Sequence, residues 1–204
     1  MKFRSLFPTR LAEAGTLSDD LLKDLSDAIW MLEEGDVAGH AWCESQGYPG
    51  YTSYASLDDL PERATAFEAL KAQLDTYAVD FAKAHGWDLS GHRLQLNSMW
   101  VNILGEDGHH SGHIHPGSVI SGTTYISTNN SSGALKLEDP RLSNLMAAPP
   151  LIDSPDDEQK RFVYIQPKAG MTLIWESWLR HEVMPNRSEH PRLSISFNYG
   201  LSSV

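Results

Sequence analysis

The spacing of apolar and polar residues along this chain changes once, near Asp88, and the change divides a helical half from a strand-rich half. Ser18, with Asp19 and Asp20 behind it, reads as a helix N-cap with acids in the first turn. Leu21, Leu22, Leu25, Ile29 and Leu32 follow at helical spacing, and Gly35 is the expected stop. Pro61 opens a second helix, where its missing N–H costs nothing. Phe67, Leu70, Leu74, Tyr77, Ala78 and Phe81 form its apolar stripe, and it ends near His85-Gly86. Residues 1–17 read as an irregular lead-in, a candidate for pairing with a sheet edge. Residues 39–60 hold Trp42, Gly47, Tyr48, Gly50, Tyr51 and Tyr54, and read as a Gly/aromatic loop. Such a segment is either a wall for a substrate or a connection held down by its own aromatics.

After Asp88 the period becomes two. Strands are expected at about 93–104, 119–127, 133–138, 161–166, 171–176, 181–185 and 192–200. Turn residues separate them, as in Gly105-Glu-Asp-Gly108 and Pro167-Lys-Ala-Gly170. Many short strands of this kind argue for a mainly β fold, an antiparallel sandwich or jelly roll, with the N-terminal helices packed on one sheet. A Pro- and Asp-rich insert between Asp139 and Lys160 reads as a surface loop near a rim.

Composition narrows this picture. The 204 residues suit a single domain, 1–204, with residues 1–90 a helical part supporting a β core at 91–204. The lone Cys43 rules out an intramolecular disulfide, fits a reducing compartment and reads as an inert small hydrophobe. With no secretory h-region at the N-terminus, a cytoplasmic location is expected. No apolar run approaches the roughly 20 residues of a membrane span. A net charge of −11 argues against sequence-independent nucleic-acid binding, which needs Lys and Arg to displace counterions.

The chemistry concentrates between Asp107 and Tyr125, where four of the nine histidines fall between His109 and His115. On a strand, His113 and His115 point to the same face. His181, at the start of a later strand, is a remote third imidazole. With one cysteine, any metal must rest on His, Asp and Glu. A bare His-x-His is equally the mark of a solvated loop; His109 and His110 are expected to be solvated loop residues or, failing that, groups that support the ligands from behind. His85 and His92 are expected on the surface. On the last strand Arg192, Ser194, Ser196 and Asn198 share one face, while Leu193, Ile195, Phe197 and Tyr199 share the other. Arginine is the side chain best shaped to hold a carboxylate bidentately. Tyr125 has the parity of His115, and Asn102 sits on the preceding strand; pocket and structural roles suit both. Trp100, Trp175 and Trp178 are expected to be buried. Arg141 either meets a substrate or pairs locally.

The set His113-x-His115, His181 and Arg192-x-Ser194 resembles the non-haem Fe(II), 2-oxoglutarate-dependent oxygenases. The runs His113-Ile-His-Pro-Gly-Ser-Val-Ile-Ser-Gly-Thr-Thr-Tyr125, Glu138-Asp-Pro-Arg141, Glu176-Ser-Trp-Leu-Arg-His-Glu-Val183 and Arg192-Leu-Ser-Ile-Ser-Phe-Asn198 are similar to a bacterial and phage group of 2OG-Fe(II) oxygenases. The resemblance spans about residues 92–200. It implies a double-stranded β-helix, a jelly-roll variant, with Fe(II) on His113, His115 and His181. It implies 2-oxoglutarate as cosubstrate, its far carboxylate on Arg192 with Ser194, and Asn102 and Tyr125 beside it. It implies O₂ and a further, unidentified substrate as partners, with succinate and CO₂ as products of a dioxygenase. The family's usual second ligand is Asp or Glu, where this chain has His115. Three neutral imidazoles, or a carboxylate from Asp107, Glu138, Asp139 or Glu176, complete the set. A cupin-like three-His metalloenzyme without 2-oxoglutarate, and a non-catalytic small-molecule-binding jelly roll, are the rival readings; Arg192 discriminates the first of them.

Overall fold

The computed structural model describes residues 1–203, and its centre is β10 (Arg192–Ser203). This strand pairs antiparallel with β3 (His92–Leu104) on one side and β5 (Ile120–Ser127) on the other. Beyond β5 come β8 (Thr172–Glu176) and β1 (Leu11–Ala14); beyond β3 comes β2 (Tyr51–Thr52). A second antiparallel sheet runs β4 (His110–His113), β9 (His181–Val183), β6 (Leu135–Glu138), β7 (Phe162–Ile165). The seven strands expected from the alternating pattern all form. β4 was not anticipated as a separate element. The lead-in does pair with a sheet edge, Leu11 opposite Trp175.

The two faces of the larger sheet bury different partners. Val101, Ile103, Ile174, Ile195, Phe197 and Tyr199 pack under the helices. Each such side chain, fully buried, contributes about 1.5–3 kcal/mol. On the other face Tyr125, Leu173 and Trp175 meet Leu135, Leu137 and Val183 of the second sheet, closing the jelly roll.

α1 (Asp19–Gly35) starts as expected: Ser18 Oγ accepts from the Leu21 N–H at 3.3 Å. It lays Leu25 and Ile29 on the sheet. The expected loop at 39–60 is partly wrong, because α2 (Val37–Gln46) occupies its first part. Gly39, His40, Trp42 and Cys43 are weak helix formers, so local propensity hid it. The caps decide instead: buried Asp36 accepts from the Gly39 N–H, and Gly47 ends the helix in the left-handed region. Cys43 is buried inside this helix, as its apolar reading expected. The expected second helix is two, α3 (Leu60–Arg63) and α4 (Thr65–His85), broken by extended backbone at Ala64. Gly86 closes α4 in the left-handed conformation. His85 is not a surface residue: its ring stacks on Phe81 at 4.0 Å, and its side chain is 10% exposed. His92 is exposed as expected.

A candidate metal and anion site

Three imidazoles converge at one end of the space between the sheets. His113 ends β4, His181 opens β9 directly opposite it, and His115 lies just past β4. The expected strand does not reach His115; a backbone bond from its N–H to Ser177 O (3.1 Å) turns it inward instead. One ligand nitrogen from each of the three lies within 4.8 Å of the others. His115 Nε2 and His181 Nε2 are 3.3 Å apart.

Hydrogen bonds orient two of the rings. His113 Nδ1–H donates to Ser111 O at 2.7 Å, and His181 Nδ1–H to Leu179 O at 2.9 Å. A carbonyl only accepts, so both rings carry their hydrogen on Nδ1 and leave an Nε2 lone pair for a metal. Burial, with His113 nearby, pulls His181 down to about 3 and His115 to about 4, so both are neutral at pH 7. None of the candidate carboxylates belongs to the cluster. Asp107 pairs with Arg187, Glu138 with Arg180, Asp139 with Arg141, and Glu176 lies 3.9 Å from His85. The donor set is three neutral nitrogens, which suits Fe, Zn, Cu or Ni.

The other end of the same cavity holds a buried cation. Arg192 is 1% exposed and Tyr125 0%. The guanidinium lies 4.9 Å from the Tyr125 ring centre, and its Nη1 donates to Ser194 Oγ at 3.4 Å. Among the described residues, neither Arg192 Nε nor Tyr125 Oη has a hydrogen-bond partner. Burial raises the Tyr125 pKa, so its hydroxyl stays a donor. Leaving such groups unpaired costs about 1–3 kcal/mol each, more for a charge. An anion bridging them removes that cost, so the orphaned donors fit a carboxylate.

Trp100, Asn102, Thr123 and Ser196 also line the cavity. Asn102 faces the cavity as its register expects, but its amide is engaged: Oδ1 accepts from Thr52 and Nδ2 donates to Ser196. Trp100 and Trp175 are buried, whereas Trp178 is 47% exposed and contradicts the expectation. It follows Ser177 in the turn after β8. Arg141 forms a two-pronged local pair with Asp139. His109 is exposed as expected. His110 corrects the solvated reading: it is half-buried, lines the cavity, and bonds to Tyr48. Between His110 and His113, Ser111 and Gly112 of β4 lie opposite Glu182 alone of β9, an extra residue that brings both histidines to the same side. Strict alternation could not have found this, nor the contact to Tyr48, 62 positions away.

Two packed antiparallel sheets with a histidine cluster at one end and a buried cation at the other define a jelly roll of the non-haem oxygenase type. Solved structures that superpose over nearly the whole chain share the fold. The α-ketoglutarate-dependent epimerase SnoN of nogalamycin biosynthesis superposes with a TM-score of 0.66 at 13% identity, over 96% of this chain and 79% of its own. A prolyl-4-hydroxylase of Pseudomonas putida superposes at 0.63 and 13% identity, over 94% of this chain and 92% of its own. A 2OG-Fe(II) oxygenase-family oxidoreductase of Burkholderia pseudomallei is matched over about half its length (48%) and 59% of this chain, at 14% identity and TM-score 0.45. No curated protein matches in sequence. Residues 98–198, about half of the chain, match the family described as "Putative 2OG-Fe(II) oxygenase". The chain belongs to that family, which implies Fe(II) and 2-oxoglutarate.

Proposed function

We propose that this protein is an Fe(II)- and 2-oxoglutarate-dependent dioxygenase that oxidises an unidentified substrate. His113, His115 and His181 hold the iron. Arg192 and Tyr125 bind the distal carboxylate of 2-oxoglutarate, with Ser194 orienting the guanidinium. Asn102, its amide committed to Thr52 and Ser196, stiffens the wall between them. Bound iron and cosubstrate supply oxidative decarboxylation to succinate and CO₂, coupled to oxidation of the substrate. The chain's own contribution is placement: neutral imidazoles at one end, a fixed guanidinium at the other, and Trp100 and Trp175 excluding water between.

The observation that supports this reading most is the buried Arg192 with its unpartnered Nε. A three-His metalloenzyme without 2-oxoglutarate leaves that charge without a counter-ion. The test is succinate production by purified protein supplied with Fe(II), O₂ and 2-oxoglutarate, alongside 2-oxoglutarate binding to the Mn(II) form. Binding that depends on His181 for the metal and on Arg192 for the acid supports the proposal. Metal uptake with no affinity for 2-oxoglutarate overturns its cosubstrate half.

A further inference from the structure

The segment between α2 and β2 reaches His110, a residue of the cavity wall, through Tyr48. It docks closely on the β3–β4 connection. A side chain at Gly50 would strike Ile103 O, and one at Gly108 would stand 2.8 Å from Pro49 O. This close approach sets Tyr48 against the apolar cluster around Leu104 and Tyr125, with its hydroxyl bonded to His110 Nε2. His110 lies on β4 of the smaller sheet and lines the cavity together with Arg192 of the larger one.

We infer that His110 is a further cosubstrate-binding residue, a ring N–H donor to the distal carboxylate of a 2-oxo diacid, and that Tyr48 is the residue that positions it. The inference rests on the proposed 2-oxoglutarate reading and deepens it. The chemistry follows from one bond. Burial pushes the Tyr48 pKa up, so the phenol keeps its proton, and the inferred role takes that O–H as the donor to His110 Nε2. The hydrogen of the neutral imidazole must then sit on Nδ1, which makes that nitrogen a donor. A ring that accepts at Nε2 is neutral, because an imidazolium has no lone pair to offer. A neutral donor beside Arg192 adds a hydrogen bond to an anion without adding repulsion to the guanidinium. The same bond in a merely structural role would pin residues 47–50 to β4 and have no bearing on which acid binds.

The experiment separates these roles with Mn(II)-loaded protein and two acids, 2-oxoglutarate and pyruvate, which lacks the distal carboxylate. Equilibrium affinities are measured for the wild type, Tyr48→Phe, His110→Leu and His110→Gln, with bound Mn(II) per chain as the check on folding. His110→Leu is expected to weaken 2-oxoglutarate about tenfold, the range of one hydrogen bond to a charged group, and to leave pyruvate unchanged. Tyr48→Phe is expected to weaken 2-oxoglutarate about threefold. His110→Gln, which keeps an N–H donor, is expected to recover most of the loss. Wild-type selectivity for 2-oxoglutarate that persists in His110→Leu, or equal losses for both acids, overturns the inference alone. A wild type that binds the two acids equally overturns the proposed function and the inference with it.

Discussion

Alternate residues of β10 do opposite work. Leu193, Ile195, Phe197 and Tyr199 face the helices, all buried among apolar neighbours. Arg192, Ser194 and Asn198 are buried just as deeply on the other face, among hydroxyls, amides and imidazoles. The first face is satisfied by the protein itself. The second holds, in Arg192 Nε, a donor with no partner among the described residues. Equal burial therefore has two meanings: one face stabilises the fold, and the other retains binding capacity at some cost in stability. Substitutions on the two faces should separate accordingly.

The largest effect is expected on the helix side. Phe197, 1% exposed, is packed so tightly that a side chain at Gly122 would collide with its ring. Phe197→Ala should cost about 3–5 kcal/mol, read as a fall in the urea midpoint. An unchanged midpoint would show that this face does not hold the sheet. Next comes Arg192→Met on the cavity side. It removes a buried, incompletely paired charge and keeps the volume, so stability should hold or rise by about 1 kcal/mol. Affinity of the Mn(II) form for 2-oxoglutarate should fall about a hundredfold, the worth of a charge-assisted pair of hydrogen bonds. If Arg192→Met lost as much stability as Phe197→Ala, the distinction between the faces would collapse.

The same contrast explains what was legible in advance. Period-two alternation placed all seven of these β10 side chains on their correct faces, because burial on both sides of a strand preserves its geometry. The apolar stripe of α4 was legible for the same reason. His113 and His181, which the structure brings together, were singled out by the His-x-His spacing and by the family resemblance. The misses arise where geometry departs from period. A bulge in β4 carried His110 inward, and a hydrogen bond to Ser177 O, rather than strand pairing, turned His115. Tyr48 and Asp36 owe their roles to contacts made by caps and glycines, which leave no repeating pattern in a sequence. Asn198 behind His115 was read as one of a strip of polar groups; its specific partner depends on a ring lying outside any strand.

Acid should expose the cavity face without touching the other. His110, His115 and His181 have folded-state pKa values of about 3, 4 and 3, below the ordinary 6.5. The unfolded chain therefore binds more protons between these limits, and stability is lost as pH falls below about 6.5 toward 4. Metal-free protein should be measurably weaker at pH 5 than at pH 7, by roughly 2 kcal/mol for a fully buried imidazole. In His181→Gln the slope of the urea midpoint against pH should shrink. An equal slope in that variant would mean that other groups carry the acid sensitivity.

The smallest effect expected is the most specific to this chain, because it concerns the ring that stands where a carboxylate is usual. His115 Nδ1 lies 3.5 Å from the Asn198 amide nitrogen, and Asn198 is itself bonded to Ser98 and Ser121. An amide N–H facing Nδ1 favours a hydrogen on Nε2, the nitrogen that must be bare to ligate; the neighbouring 3.3 Å contact to His181 Nε2 fits that arrangement. Asn198→Asp replaces the donor with an acceptor and leaves the volume unchanged. The hydrogen is then drawn to Nδ1, Nε2 is freed, and a negative charge returns one residue removed from the metal. Mn(II) affinity should rise about threefold to tenfold, with the urea midpoint of the metal-free protein level or lower because a carboxylate is buried among hydroxyls. Asn198→Ser, which keeps a small polar group without the charge, should leave Mn(II) affinity within about twofold of the wild type. A fall in affinity in Asn198→Asp would mean that His115 binds through another nitrogen or not at all, and that the metal is held by His113 and His181 with a ligand from outside the chain.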